Sequence, residues 1–296
     1  MGYVGRFAPS PTGPLHLGSL VAALGSFLDA RAHRGRWLLR IEDLDTARIR
    51  PRYTDDIKRT LEALDLQWDG TIAYQSSRQP LYAAALTELR RQGRLFACGC
   101  TRRDRADAGG STENGCQGSC RSQRLTGPSA ARFAISKTES VSFVDRLQGS
   151  CSCVLEMPAD IVVQRRDQVI AYQLAVVVDD AEQAVTDVVR GADLLASTPW
   201  QILLQRALGL AMPRYAHVPV VVEADGAKLA KSRRSVPVDP RAGGRPLVEA
   251  LTLLRQMPPP ELVTAPARNV LSWALEHWNP VSLERVQKAT ASVMTP

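Results

Sequence analysis

The sequence predicts an α/β protein built around a parallel sheet, and three observations carry that prediction. From Tyr3 to Gly93, short apolar runs of strand length alternate with longer runs whose apolar residues recur at helical spacing. Strand–helix–strand–helix order of this kind marks βα units. The alternation stops between Ala97 and Pro128, where glycine, serine, arginine and four cysteines replace it, and then resumes. The chain thus reads as two halves of one sheet domain separated by an insertion.

Each element has a local reason. Tyr3 to Phe7 is a short apolar strand. Ser19 to His33 is a helix, with Leu20, Leu24, Phe27 and Leu28 on one face and Gly35 after it. Trp37 to Ile41 is a strand that runs into Glu42-Asp43-Leu44-Asp45. Thr54 is placed to cap the next helix, where Ile57, Leu61 and Leu64 repeat at helical spacing. Pro80 opens a helix from Leu81 to Arg91, closed by Gly93. Beyond the insertion, Ala131 to Ile135 and Val141 to Arg146 are strands, and Ile161 to Arg165 with Gln168 to Tyr172 form a hairpin around Asp167. Leu174 to Asp180 is a buried helix or strand, a choice periodicity does not make for so short a run. Thr186 to Arg190 is a strand ending at Gly191. Thr198 is placed to cap, and Pro199 to open, a helix to Gly209. Val218 to Glu223 is a strand, followed by a turn and a lysine loop, Lys228 to Ser232. Helices are expected at Pro246 to Gln256, Val270 to His277 and Leu283 to Ala289. The expected division is 1–97 and 128–212 for the sheet domain, 98–127 for the insertion, and 213–296 for the lysine loop and a small helical C-terminal region.

Composition narrows the class. The 296 residues suffice for a well-buried core, and 45% hydrophobic with 23% charged residues is ordinary for a globular protein. No apolar run is long enough for a membrane span, and Arg6, Pro9, Pro11 and Pro14 break up any signal-peptide layout. A cytoplasmic location is expected. The net charge of +7 fits either a solubilising basic surface or a polyanionic partner held on a folded surface. Six cysteines fall into two groups: Cys98, Cys100, Cys116 and Cys120, then Cys151 and Cys153. Without a secretion signal, grouped pairs argue for metal before disulfide.

Two stretches carry chemistry. In Arg6 to Ser19 a strand passes through three prolines and a glycine into a helix. Free N–H groups and the positive end of the helix dipole make such a corner an anion site. His16 adds a donor there and Gly18 leaves the backbone approachable. Far downstream, Lys228 and Lys231 lie three apart in a loop and can close over a phosphate chain as mobile point charges.

Together these stretches resemble the HIGH and KMSKS signatures of the class I aminoacyl-tRNA synthetases, here His16-Leu17-Gly18-Ser19 and Lys228-Leu229-Ala230-Lys231-Ser232. Arg6 to Gly13, Arg40 to Asp45, Tyr172 with Leu174 to Asp180, and Val189 to Leu194 resemble the glutamyl branch. The resemblance covers residues 3 to 235. It implies a Rossmann-type doubly wound parallel sheet with a zinc-binding insertion. The 64 residues after Ser232 are too few for the anticodon-binding domain of a full glutamyl-tRNA synthetase. The chain is therefore similar to the glutamyl-Q tRNA(Asp) synthetase family. That resemblance implies ATP-dependent, tRNA-independent activation of L-glutamate and transfer to the queuosine base of tRNA(Asp). A truncated or discriminating glutamyl-tRNA synthetase, and a small-molecule nucleotidylyltransferase, are the alternatives.

The resemblance also assigns residues. His16 and Lys231 are expected to be catalytic. ATP, with Mg²⁺, would meet His16, Gly18, Ser19, Lys228 and Lys231. Glutamate would meet Arg6, Phe7, Ala8, Pro9 and Ser10, with Arg6 and Arg190 on carboxylate, Glu42 on the α-ammonium and Tyr172 as a hydrogen-bond partner. The pattern Cys98-x-Cys100, fifteen residues, Cys116-x₃-Cys120 fits a closed tetrahedral structural Zn²⁺ site, one per chain. Cys151 and Cys153 are expected to be free thiols, and the protein a monomer.

Overall fold

The structure is a computed structural model, and it describes residues 2–101, 103–104, 116, 120–123, 127–156, 159–223 and 236–290. Lys228 and Lys231 lie outside the described residues. Three parallel strands, β1 (Val4–Phe7), β2 (Arg36–Ile41) and β3 (Ala73–Tyr74), form the first half of the main sheet. The second half orders β7 (Gly149–Leu155), β6 (Glu139–Asp145), β10 (Arg214–Val218) and β9 (Asp187–Gly191). There β6, β10 and β9 are parallel, and β7 pairs antiparallel at the edge. The halves meet between β1 and β9: Thr186 N–H donates to Val4 O and Val4 N–H to Thr186 Oγ1, both at 2.9 Å. From that seam the chain runs outward in opposite directions, β1 to β2 and β9 to β10. The seam is a topological switch point, where open α/β sheets bind ligands at the carboxyl ends of their strands.

Helices cover both faces. On one lie α1 (Leu17–Ala32), α2 (Pro51–Ala63), and the later α6 (Arg245–Leu253) and α7 (Ala267–His277). Their apolar faces pack with Trp37, Leu39 and Ile41 of β2. The other face carries α3 (Gln79–Arg91), α4 (Tyr172–Glu182) and α5 (Thr198–Leu208), packed on Phe143, Val188 and Tyr215. The five-residue core of α4, Leu174 to Val178, is buried without interruption, and the run is a helix. Among the described residues no helix is long and apolar enough to cross a membrane.

Several expected boundaries shift for physical reasons. The α2 helix starts at Pro51, whose fixed φ suits the first helical position, so Thr54 lies inside the helix rather than at its cap. Ala130–Ala134 (β5) does not join the parallel sheet. It lies between β4 (Leu95–Cys98) and β8 (Asp160–Gln164) in a separate antiparallel sheet. The hairpin after β8 keeps one bridge, Gln164 to Ile170, before Tyr172 starts α4. Pro219 divides the expected strand at 218–223: without an N–H it cannot continue the ladder, and β11 (Val220–Val222) leaves the main sheet. Its partner is β12 (Lys288–Thr290), in the segment expected to be helical.

Candidate active site

A cavity of about 440 Å³ opens at the switch point. Its lining includes Arg6, Phe7, Ala8, Pro9 and Ser10 from the end of β1 and the loop after it, and Glu42, Tyr172 and Arg190 from the ends of β2, α4 and β9. His16, Gly18 and Ser19 border the same space. Every sequence-predicted glutamate residue, and every described residue predicted for ATP, therefore shares one cavity.

The anion corner is built by its own histidine. The extended backbone at His16 ends the loop, and its Nδ1 accepts from Ser19 N–H at 3.2 Å, capping α1. The ring's other nitrogen, thereby left to carry the proton, lies 3.0 Å from Ser19 Oγ. Helix α1 thus begins two residues before Ser19. Glu42 N–H donates to Pro9 O at 3.0 Å, tying the loop to the end of β2. On the far side, Val238 N–H donates to Leu15 O at 2.8 Å. Residues 236–238 are therefore docked on the His16 loop, while Val220 and Val221 on the other flank of the lysine segment line the cavity.

Beneath the cavity lies a buried charge network. Asp180 takes a fork from Arg6, Nε to Oδ1 at 3.1 Å and Nη2 to Oδ2 at 3.3 Å, and a third bond from Arg40 Nη1 at 2.7 Å. Burial works to raise the Asp180 pKa, but Arg6 and Arg40 outweigh it and hold the carboxyl ionised. Glu42 is less well served. Its Oε1 is buried without a hydrogen-bond partner and sits 3.6 Å from Arg40 Nη2. Burial pushes its carboxyl up to about 7 against the pull of Arg40 and Arg6. A cavity-lining carboxylate with an unmet acceptor fits a cationic ligand group.

Arg190 is held by a network that local sequence does not reveal. Its Nε donates to His217 Nε2 at 3.0 Å and its Nη2 to Thr198 Oγ1 at 2.9 Å, while Nη1 lies 3.5 Å from Tyr172 Oη. His217 in turn meets Asp145 Oδ2 through Nδ1 at 2.5 Å. Thr198 is the first residue of α5 rather than its cap, because the guanidinium engages its hydroxyl. Burial and the neighbouring Arg190 lower the His217 pKa, outweighing the Asp145 hydrogen bond.

The four insertion cysteines converge. Their Sγ atoms lie within 4.8 Å of one another, Cys100 to Cys120 at 3.4 Å and Cys100 to Cys116 at 3.7 Å. Four thiolates at Zn–S of about 2.3 Å sit about 3.8 Å apart, so the donor set and its spacing fit a tetrahedral thiolate-bound metal ion. Cys116 N–H donates to Asp160 at 3.0 Å, and Asp160 pairs with buried Arg132 of β5, which anchors the cluster to the antiparallel sheet. Arg121 also turns inward, to the carbonyls of Ile135 and Ala159 at 3.2 Å. Cys151 and Cys153 are free thiols on β7.

A cavity at a Rossmann-type switch point, bordered by a histidine-capped anion corner and two buried guanidinium networks, has the form of an adenylate-forming class I synthetase site. A family model described as "tRNA synthetases class I (E and Q), catalytic domain" matches residues 3–242. A glutamyl-Q tRNA(Asp) synthetase of Aromatoleum aromaticum is 49% identical over 292 residues, covering 98% of this chain and 93% of its own. One from Pseudomonas aeruginosa is 48% identical, covering 96% of each chain. Among solved structures, a glutamate tRNA ligase from Elizabethkingia meningosepticum, in complex with its amino acid, matches with a TM-score of 0.78 at 26% identity. It covers 99% of this chain and 67% of the ligase. The chain belongs to the glutamyl-Q tRNA(Asp) synthetases, within the class I E-and-Q tRNA synthetase family.

Proposed function

We propose that the protein activates L-glutamate with ATP, without tRNA, and transfers it to the queuosine base of tRNA(Asp). The observation that carries the activation half is the single cavity that gathers Arg6, Glu42, Tyr172 and Arg190 beside the His16 corner. Glutamate presents two carboxylates and one ammonium. Arg6 and Arg190 receive carboxylate, Glu42 the ammonium, and Tyr172 a hydrogen bond. Arg6 and Arg190 are pre-oriented by Asp180 and His217, so little side-chain ordering remains for binding to supply.

The α-carboxylate oxygen then attacks the α-phosphorus of ATP. A new C–O–P linkage forms, the bond to the β-phosphate oxygen breaks, and pyrophosphate leaves. Negative charge grows on the phosphate oxygens, where the α1 N-terminus and His16 offer fixed donors and Lys231 a mobile ammonium. Lys228 supports Lys231, and Gly18 and Ser19 complete the ATP side. Mg²⁺ accompanies the phosphates. The cysteine cluster holds one structural Zn²⁺, with Cys98, Cys100, Cys116 and Cys120 filling all four positions, and the protein acts as a monomer.

Glutamate-dependent ATP–pyrophosphate exchange is expected at full rate without tRNA; dependence on added tRNA would overturn the activation reading. Labelled glutamate is expected on tRNA(Asp) carrying queuosine and not on tRNA(Asp) lacking it. Label on tRNA(Glu) would overturn the acceptor. Lys231→Ala is expected to lower the exchange kcat by roughly 100-fold or more with little change in glutamate KM. An equal rise in glutamate KM would remove Lys231 from the phosphate side.

A further inference from the structure

We infer that Asp145 and His217 are positioning residues that fix the face Arg190 presents to a glutamate carboxylate, that this carboxylate is the side-chain one, and that the pair thereby sets the preference for the acid over its amide. The inference rests on the reading of Arg190 as a carboxylate partner and goes beyond it to what holds the guanidinium.

The hydrogen-bond directions turn on His217 Nε2, which Arg190 Nε approaches at 3.0 Å and Thr198 Oγ1, itself a donor to Leu194 O, at 3.3 Å. A guanidinium only donates, so Arg190 Nε at 3.0 Å requires a bare lone pair on His217 Nε2. The ring proton is then on Nδ1, where it is donated to Asp145 Oδ2 at 2.5 Å. Both side chains are fully buried, so water does not substitute for either partner. The other oxygen of Asp145, Oδ1, accepts three backbone N–H groups, from Leu147 at 3.0 Å, Gln148 at 2.9 Å and His217 at 3.2 Å. That oxygen leaves Oδ2 aimed at the ring. With Nε on His217 and Nη2 on Thr198, Arg190 keeps Nη1, beside Tyr172 Oη, to meet a ligand in the cavity it lines.

This chain of directions makes Asp145→Asn a selective lesion. The three backbone donors retain the amide oxygen at the Oδ1 position and drive the NH₂ group to the Oδ2 position. There it donates to Nδ1 and moves the ring proton to Nε2, setting an N–H against the Nε–H of Arg190. The guanidinium loses its anchor although no side-chain volume has changed.

The test measures ATP–pyrophosphate exchange with glutamate and with glutamine. Asp145→Asn is expected to raise the glutamate KM about tenfold or more and to lower the glutamate-over-glutamine ratio of kcat/KM by a similar factor, with ATP KM within a few-fold of the parent. His217→Asn keeps a group at the δ position and none at ε, and is expected to behave likewise. His217→Gln restores an acceptor carbonyl at ε and is expected to recover most of the loss. An Asp145→Asn protein with parental glutamate KM and amide discrimination, or with glutamate and ATP KM raised equally, would overturn the inference. Nitrogen-15 NMR of the unsubstituted protein reads the ring directly and does not depend on a variant folding. A protonated Nδ1 and bare Nε2 at neutral pH are expected, and the opposite tautomer or an imidazolium would overturn it. Arg190→Lys, measured in parallel, separates the two levels. A parental glutamate KM there removes the reading of Arg190 itself. A raised KM there, with Asp145→Asn silent, removes only the positioning role.

Discussion

Glu42→Gln is expected to yield a protein that is more stable than its parent at pH 8 and binds glutamate roughly 100-fold more weakly. Both halves follow from one buried carboxyl. Its unfolded pKa is near 4.5 and burial lifts it to about 7 in the folded chain. The folded state therefore holds this proton more tightly than the unfolded state. The stabilisation is complete below about pH 4.5 and is lost as pH rises through about 7. At pH 8 the ionised group opposes folding by on the order of 3 kcal/mol, which an isosteric amide removes. Denaturant unfolding at pH 8 and at pH 4 checks this: the advantage of the variant is expected at the first and absent at the second. Binding runs the other way. The ammonium of the substrate loses a buried anionic partner, a loss of about 3 kcal/mol or roughly 100-fold in glutamate KM. In the parent, glutamate KM is expected to rise as pH falls below about 7, and in the variant that dependence is expected to vanish. A flat parental profile would show that Glu42 does not face the ammonium.

Metal removal is the second large effect. Metal analysis is expected to find one zinc per chain, lost in Cys98→Ser. Structural zinc bound by thiolates contributes on the order of 10 kcal/mol to the fold of its own segment, so stripping it is expected to unfold the insertion locally. Proteolysis of the stripped protein is expected to cut first within 98–127. The main cavity is lined by none of the four cysteines. Pyrophosphate exchange is therefore expected to survive stripping better than transfer to tRNA. A protein that is metal-free and as protease-resistant as the parent would remove the zinc assignment.

What the sequence made legible, and what it hid, divides along range of interaction. Arg6, Glu42 and Arg190 are legible through the resemblance of their stretches to the glutamyl branch, and each sits at or just beyond the end of a strand that periodicity marks. The cysteines were readable from spacing alone. The partners of these residues were not. Asp180 lies 174 residues from Arg6 and Asp145 lies 72 from His217. Nothing local distinguishes a buried aspartate at the end of an apolar run from a solvated one. His217 did carry a faint signal, a polar ring inside the apolar strand Tyr215 to Val218. Thr198 shows the reverse failure: the cap signature before Pro199 is real, but a guanidinium from the neighbouring strand captured the hydroxyl. The helix expected at 283–289 yielded to a strand because β11, released by Pro219, offered an unpaired edge.

That last pairing bears on the order in which the molecule is completed. Val220 and Val221 line the cavity, and their strand partners are Lys288 and Ala289, 68 residues later. A chain emerging from the ribosome folds its N-terminal parts first. The His16 corner and the β1–β9 seam can form before Lys288 to Thr290 are made. The wall beside the lysine segment must wait until Lys288 to Thr290 have been made. A growing chain would then hold its anion corner early and gain the ordered flank of its lysine segment only after β12.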